Sequence, residues 1–451
     1  MAGFKKRGLW GLTLPLFAFA FMSIGVSFAD QVILSQYSEE LAAAVSLANQ
    51  ILGVAYDLSA LFSVGGLIAL AQYLGRTEVD QARTVVADAV QASLMLCGLL
   101  AAMLLLGAPL FVDWINAPEE LRDDVVAYVR IIAAAILFNG AIASATAALK
   151  GFGHTMVILL LGIFANVAYL FFEYALVFGA FGFPELAVEG SALATVVVRL
   201  ASVLALYLLL RHWLGVPFRL FALPRRSLGT MLRLAKIAYP SVGENMIYNL
   251  YQLGVVAIVA TLGTQAVLAR SFSLTILSLL TIIGFVVAQG CEILVGYDRG
   301  AGEFRTAHRR ARTTALATAA VSAAGAWLIY LNGEFLVRLF TDEAPLIAEI
   351  QPILLVSVAL APFQAANLIL FAALKAVGDV NRPVVGNLAL TLLLALPAAY
   401  ATLTVWDLGV LGLWYVYVGH EIGRFAVNFG LWESGTWRKY RVIEARGASA
   451  P

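Results

Sequence analysis

The stretch Leu14–Val45, LPLFAFAFMSIGVSFADQVILSQYSEELAAAV, places a carboxylate, Asp30, inside an apolar run long enough to cross a bilayer. Such a charge costs about 2.5 to 3.5 kcal/mol on insertion scales, so it persists where it is paired or where it faces a functional cavity. The rest of the 451-residue chain agrees: 61% of it is hydrophobic and 13% charged, against about 25% charged in soluble domains. The composition is that of an all-α polytopic membrane protein. Lys5, Lys6 and Arg7 followed by an apolar run and Ser27–Ala29 also fit a cleaved signal peptide. That run exceeds the usual core of about 7 to 15 residues and leads into more apolar helix, so it reads as a span. Cys97 and Cys291 sit inside apolar runs and suggest neither a disulfide framework nor a thiolate metal site.

Runs of about 20 apolar residues mark spans, and twelve are expected: 9–33, 41–73, 86–112, 124–149, 155–180, 187–211, 237–262, 266–297, 313–333, 346–374, 382–405 and 409–432. Of the 29 Lys and Arg residues, 23 fall in the tails and the loops on the N-terminal side. Two, Arg122 and Arg338, fall on the opposite side, and Arg130, Arg199, Arg270 and Arg424 lie inside spans. By the positive-inside rule both termini are cytoplasmic and the protein is a multi-pass cell (inner) membrane protein. Asp30 then lies toward the outer half of the first span.

The chain also repeats itself. Pro15 and Pro240, Gly75 and Gly300, and Lys150 and Lys375 are each separated by 225, and Gly190 of LAVEG and Gly412 of LGVLG by 222. The expected organisation is an N-lobe over 1–213, a basic cytoplasmic linker over 214–236, a C-lobe over 237–436 and a cytoplasmic tail over 437–451. Six spans per half insert with the same orientation, so two six-helix lobes are expected, related by pseudo-twofold symmetry about the membrane normal and flanking a central cavity.

Several segments carry a family resemblance. DQVILSQYSEELAAAV, GGLIALAQYLGRTEVDQAR, ALKGFGHT and LAVEGSALAT resemble, in order and spacing, motifs of the multidrug and toxic compound extrusion (MATE) transporters. Ser35 departs from the family's usual Gly, and GCEILVG carries an unusual Glu292. The resemblance implies a secondary active antiporter that exports amphipathic, often cationic compounds in exchange for H+ or Na+ by rocking two lobes. It implicates acidic positions of the first and fifth helices in cation coupling, and Asp30 and Glu173 match them. The NorM-like branch carries further acids where this chain has Tyr248 and Gln364, so the resemblance is closer to the DinF-like branch.

The residues themselves support a coupling site in the first lobe. Asn166, Tyr169 and Glu173 share one helical face, and with Asp30 they can bind a hydrated cation, such as Na+ at Asp30 and Glu173, or take up protons; an internal Glu173–Arg199 ion pair is the alternative. Glu244, Tyr248 and Asn249 on the seventh span, with Tyr56, Asp57 and Asn139 in the first half, are candidates for the substrate cavity, where aromatic rings suit organic cations. Glu421 and Arg424 are spaced to pair with each other, Glu292 is expected to reach water near Tyr297 and Arg299, and Lys150 and Lys375 to anchor helix ends. No Walker-type loop, metal-ligand spacing or nucleophile–base signature stands out, so no enzyme activity, cofactor or metal is expected. The expected partners are small organic substrates and membrane lipids, with no nucleic acid and no obligate protein partner, for a monomer. The alternative function is a lipid-linked oligosaccharide or lipid-precursor flippase, which calls for a basic cavity.

Overall fold

The computed structural model describes residues 7–115, 117–218 and 225–443, with the side chains of 225–227 left out. The basic residues Lys5, Lys6, Arg219 and Arg446, and the side chains of Arg225 and Arg226, lie outside that description. The described chain is helical throughout. Ten helices are long and apolar enough to cross a membrane: α1 Leu9–Tyr37, α2 Glu39–Gly75, α3 Val79–Trp114, α4 Glu119–Gly151, α5 Thr155–Phe178, α6 Ala187–Trp213, α8 Thr264–Ala301, α9 Phe304–Leu331, α10 Ala344–Val377 and α11 Asn381–Val405. Two more complete the twelve, α7 Arg225–Ala260 and α12 Gly409–Glu433, both long but carrying the polar residues discussed below. Helix α7 begins inside the segment expected as a linker, so residues from Arg225 onward are helical. Exposed apolar side chains such as Leu106, Leu110 and Leu393 form the surface of a bilayer-embedded helix, where every backbone group finds its partner within the helix.

The chain divides into two compact units, Met1–Val242 and Gly243–Pro451. In the first, α3 packs on α4, α4 on α6, and α1 on α5, around a core of Leu52, Val129, Ile132 and Ile136. In the second, the corresponding helices six further on repeat the first two pairings, α9 on α10 and α10 on α12, around Ile353, Leu413 and Trp414. Trp414 donates its indole N–H to Ser357 Oγ at 2.8 Å, satisfying a buried polar group.

The repeat read from sequence spacing recurs as backbone geometry. At an offset of 225, Glu78 N donates to Tyr73 O at 3.0 Å and Glu303 N to Asp298 O at 2.8 Å. His154 N to Leu149 O at 2.8 Å and Asp379 N to Leu374 O at 3.0 Å are a second such pair. The left-handed residues coincide as well: Thr77 (φ 63°) with Gly302 (φ 80°), and Gly153 (φ 85°) with Gly378 (φ 92°). At the 222 offset, Ala187 (φ 45°) matches Gly409 (φ 57°). These turns close the helix pairs of each unit, and αL geometry is what makes glycine recur there.

Past α12, the chain does not leave the protein at once. Thr436–Lys439 forms a short 3-10 turn, and Trp437, fully buried, stacks on Trp432 at 4.7 Å between ring centroids. Arg299 donates to the carbonyls of Arg438 and Tyr440, and Val442 and Ile443 are buried. The start of the expected tail is therefore docked on the second unit. Replacing Trp437 with Ala removes a filled core position, a loss of about 3 to 5 kcal/mol, and a thermal melt in detergent should register it as a lowered midpoint.

Candidate coupling and substrate sites

In the first unit, α1, α5 and α6 bring Asp30, Tyr169, Glu173 and Ser191 together. The Tyr169 hydroxyl lies 2.5 Å from Asp30 Oδ1 and 3.0 Å from Glu173 Oε1, and Ser191 Oγ donates to the same Glu173 Oε1 at 3.1 Å. Glu173 and Ser191 are fully buried, and Glu173 Oε2 has no hydrogen-bond partner. Tyr128 of α4, buried, interacts electrostatically with both carboxyls. None of the ion pairs among the described residues involves Asp30 or Glu173. The Glu173–Arg199 pair considered from sequence is not formed, because Glu173 is turned to Tyr169 and Ser191 while Arg199 lies about two helical turns further along α6 from Ser191.

The chain folds this way locally because α6 approaches α5 closely. Gly190 has no side chain where a Cβ would meet the Leu176 carbonyl oxygen at 2.5 Å, and Leu186 N donates to that carbonyl at 2.9 Å. This contact sets Ser191 against Glu173. Gly190→Ala forces α6 away from α5; strain of this kind costs about 1 to 3 kcal/mol, to be seen as a lowered melting midpoint together with weakened transport. Asn166, one turn before Tyr169, is not joined to the cluster by a hydrogen bond. Its buried Nδ2 lacks a partner, and it lines an apolar cavity of about 380 Å³ with Phe19, Phe172 and Ile142.

The residues expected in a substrate cavity fall in separate units. Tyr56 and Asn139 meet around Arg199, which donates to Asn139 Oδ1, reaches the Tyr56 hydroxyl at 3.5 Å and lies 5.1 Å above its ring centroid. Asn139 Nδ2 in turn donates to Ser59 Oγ at 2.5 Å. Asp57 is half-buried and makes an interaction of its own.

In the second unit Glu244 is buried but not alone. Arg424 Nη2 donates to its Oε1 at 3.2 Å and Asn387 Nδ2 at 3.0 Å, while Arg424 Nη1 also reaches Glu421 Oε1 at 3.1 Å. Asn367 donates to Glu421 Oε2 at 2.6 Å. The expected Glu421–Arg424 pair is thus present and extends to Glu244. Tyr248 accepts from Gln252 at 2.9 Å, Gln252 accepts from Arg270 at 3.2 Å, and Asn249 is exposed and engaged. Glu292 does not reach toward water as expected. It is buried and pairs with Lys375 Nζ at 3.4 Å, so Lys375 neutralises an acid besides standing at a helix end.

Sequence reasoning missed Ser191, Tyr128 and the Glu244–Arg424 and Glu292–Lys375 pairs. Ser191 had a signal, since it follows the glycine of LAVEGS; the pairs join residues 180 and 83 positions apart and leave no local pattern.

Comparison with known proteins places the chain. The MatE family model matches residues 15–175 and 240–401, one match in each half of the chain. The "Uncharacterized transporter YisQ" of Bacillus subtilis is 26% identical over 433 residues, covering 96% of this chain and 95% of that protein. The "Probable multidrug resistance protein NorM" of Thermotoga maritima is 24% identical over 441 residues, 97% of this chain and 94% of its own length. Among solved structures, a mutant of the Vibrio cholerae MATE transporter VcmN superposes with a TM-score of 0.84 at 15% identity, covering 96% of this chain and 97% of that one. Nothing in these comparisons supports the flippase alternative. With both halves matched and its twelve helices arranged as in solved members, the chain is a multi-pass membrane protein that belongs to the MatE family of transporters.

Proposed function

We propose that the protein is a secondary active antiporter of the inner membrane, with both termini cytoplasmic, that acts as a monomer. It exports amphipathic drugs or metabolites, cationic ones among them, against an inward flow of H+. Relatives named for multidrug resistance support the substrate class. Coupling resides in the first unit, at Asp30, Tyr169 and Glu173, as in the DinF-like branch; the second-unit acids Glu244 and Glu421 are already neutralised in part by Arg424.

The observation that carries this reading is the arrangement around Tyr169. Its hydroxyl has one hydrogen yet touches two carboxyls, at 2.5 and 3.0 Å. Both contacts are attractive only when a further proton resides on Asp30 or Glu173, and this favours H+ over Na+. Loss of that proton leaves two carboxylates facing one phenol in a desolvated site, and their repulsion favours a second conformation. Asn166 stands one turn from the cluster, between it and the apolar cavity, where substrate and proton can influence each other. A transporter needs no more than such a difference in affinity between two states.

Uptake of a fluorescent organic cation into everted vesicles tests this directly. An imposed proton gradient should drive it in the absence of Na+. Transport that responds to a Na+ gradient alone would assign the site to Na+.

A further inference from the structure

The two units treat a half-buried arginine in opposite ways. The 222 offset that aligns Gly190 with Gly412 places Arg199 of α6 at the position of Glu421 of α12. In the second unit the arginine one turn along, Arg424, is held by two carboxylates, Glu244 at 3.2 Å and Glu421 at 3.1 Å. In the first unit Arg199 is held by neutral groups only: the Asn139 amide, the Tyr56 hydroxyl and the Tyr56 ring. A guanidinium has five N–H donors in a planar fork, and two of the donors of Arg199 point to Asn139 and Tyr56, leaving three.

Depth sharpens the contrast. Arg199 is twelve residues from the start of α6 at Ala187, about 18 Å along a helix at 1.5 Å per residue, near the middle of a hydrocarbon core about 30 Å thick. Headgroup phosphates do not reach there. A cation at that depth costs about 2.5 to 3.5 kcal/mol, and among the described residues no acid offsets it by an ion pair. The side chain is half-buried, as are Tyr56 and Asn139, so part of the fork stays accessible.

We propose that Arg199 receives the carboxylate of the transported compound, with the Tyr56 ring beside it for an aromatic body, so that the protein accepts aromatic organic acids and zwitterions. Asn139, fixed through Ser59, orients the fork, and the remaining N–H groups bind the anion bidentately. This rests on the transporter reading and names the substrate class for it.

The test compares binding of pyrene-butyrate and its uncharged amide to the purified full-length protein in detergent, by fluorescence. The parent should prefer the carboxylate about tenfold or more. Arg199→Gln should erase the preference while leaving the affinity for the amide in place. Asn139→Asp supplies beside Arg199 the acid that Arg424 has in the second unit, and should erase it too without loss of thermal stability, so a poorly folding glutamine variant does not leave the question open. A carboxylate preference absent from the parent, or undiminished in Asn139→Asp, overturns the proposal. Displacement of the probe by anionic-lipid vesicles but not by aromatic acids in solution would assign the site to lipid and overturn it as well. Organic-cation efflux by the parent, measured in parallel, reports on the transporter reading separately. Absence of efflux from the parent with an intact binding preference removes the transport reading and keeps the site.

Discussion

In Asp30→Asn, substrate affinity becomes independent of pH. On the proposed coupling, proton and substrate act on one conformational equilibrium in the parent, and coupling free energies of this kind are about 1 to 3 kcal/mol, or 5- to 150-fold in affinity. Binding titrations across the pH range in which the site exchanges its proton should show that change in the parent and a flat profile in the variant. The variant keeps the 2.5 Å contact to Tyr169 in isosteric form and removes the acid, so the protein should fold as the parent does. Glu173→Gln should act in the same direction, because its Oε1 carries both the Tyr169 and the Ser191 contacts. Ser191→Ala should weaken the pH dependence without removing it.

Arg424→Met unfolds or severely destabilises the second unit. Arg424 is the cation shared by Glu244 and Glu421, which are both buried. Removing one partner of a buried pair costs about 3 to 5 kcal/mol, since it leaves a charge without compensation, and here two are left. A thermal melt of the purified variant, or its yield in the membrane fraction, reads the effect. Adding Glu244→Gln and Glu421→Gln should restore much of the stability, because the three positions then form a neutral network with Asn387 and Asn367. A single variant as stable as the parent would mean that one or both carboxyls are already protonated and that Arg424 is not their counter-ion. Such strong coupling among three neighbours is the expected departure from additivity.

Much of the architecture is legible in the sequence because it follows from local chemistry. Runs of apolar residues near helical length give the spans, and the turns after α2 and α4 recur after α8 and α10 because the same backbone closures require left-handed residues at Gly153 and Gly378. The cluster at Asp30 is half legible. Asp30 is conspicuous as a charge in an apolar run, and Asn166, Tyr169 and Glu173 share a helical face. Which of those three meets Asp30 depends on how α1 and α5 pack, and this brings in Tyr169 and Glu173 and sets Asn166 toward the apolar cavity. The ion pairs are not legible, because Glu244 with Arg424 and Glu292 with Lys375 join helices far apart in the chain. A buried acid read alone looks functional, and the structure supplies the base that neutralises it. Arg199 inverts that lesson, since it is a cation held by neutral groups, Asn139 and the Tyr56 ring.

On the proposed function, one proton site in the first unit drives transport. Proteoliposomes containing the purified protein separate coupling from conformational exchange, since gradient-driven accumulation requires coupling whereas substrate exchange at equilibrium requires only the rocking of the lobes. An inward proton gradient should drive substrate extrusion by the parent, and Asp30→Asn should lose that extrusion while retaining equilibrium exchange. Gradient-driven extrusion by Asp30→Asn at the rate of the parent would contradict the account.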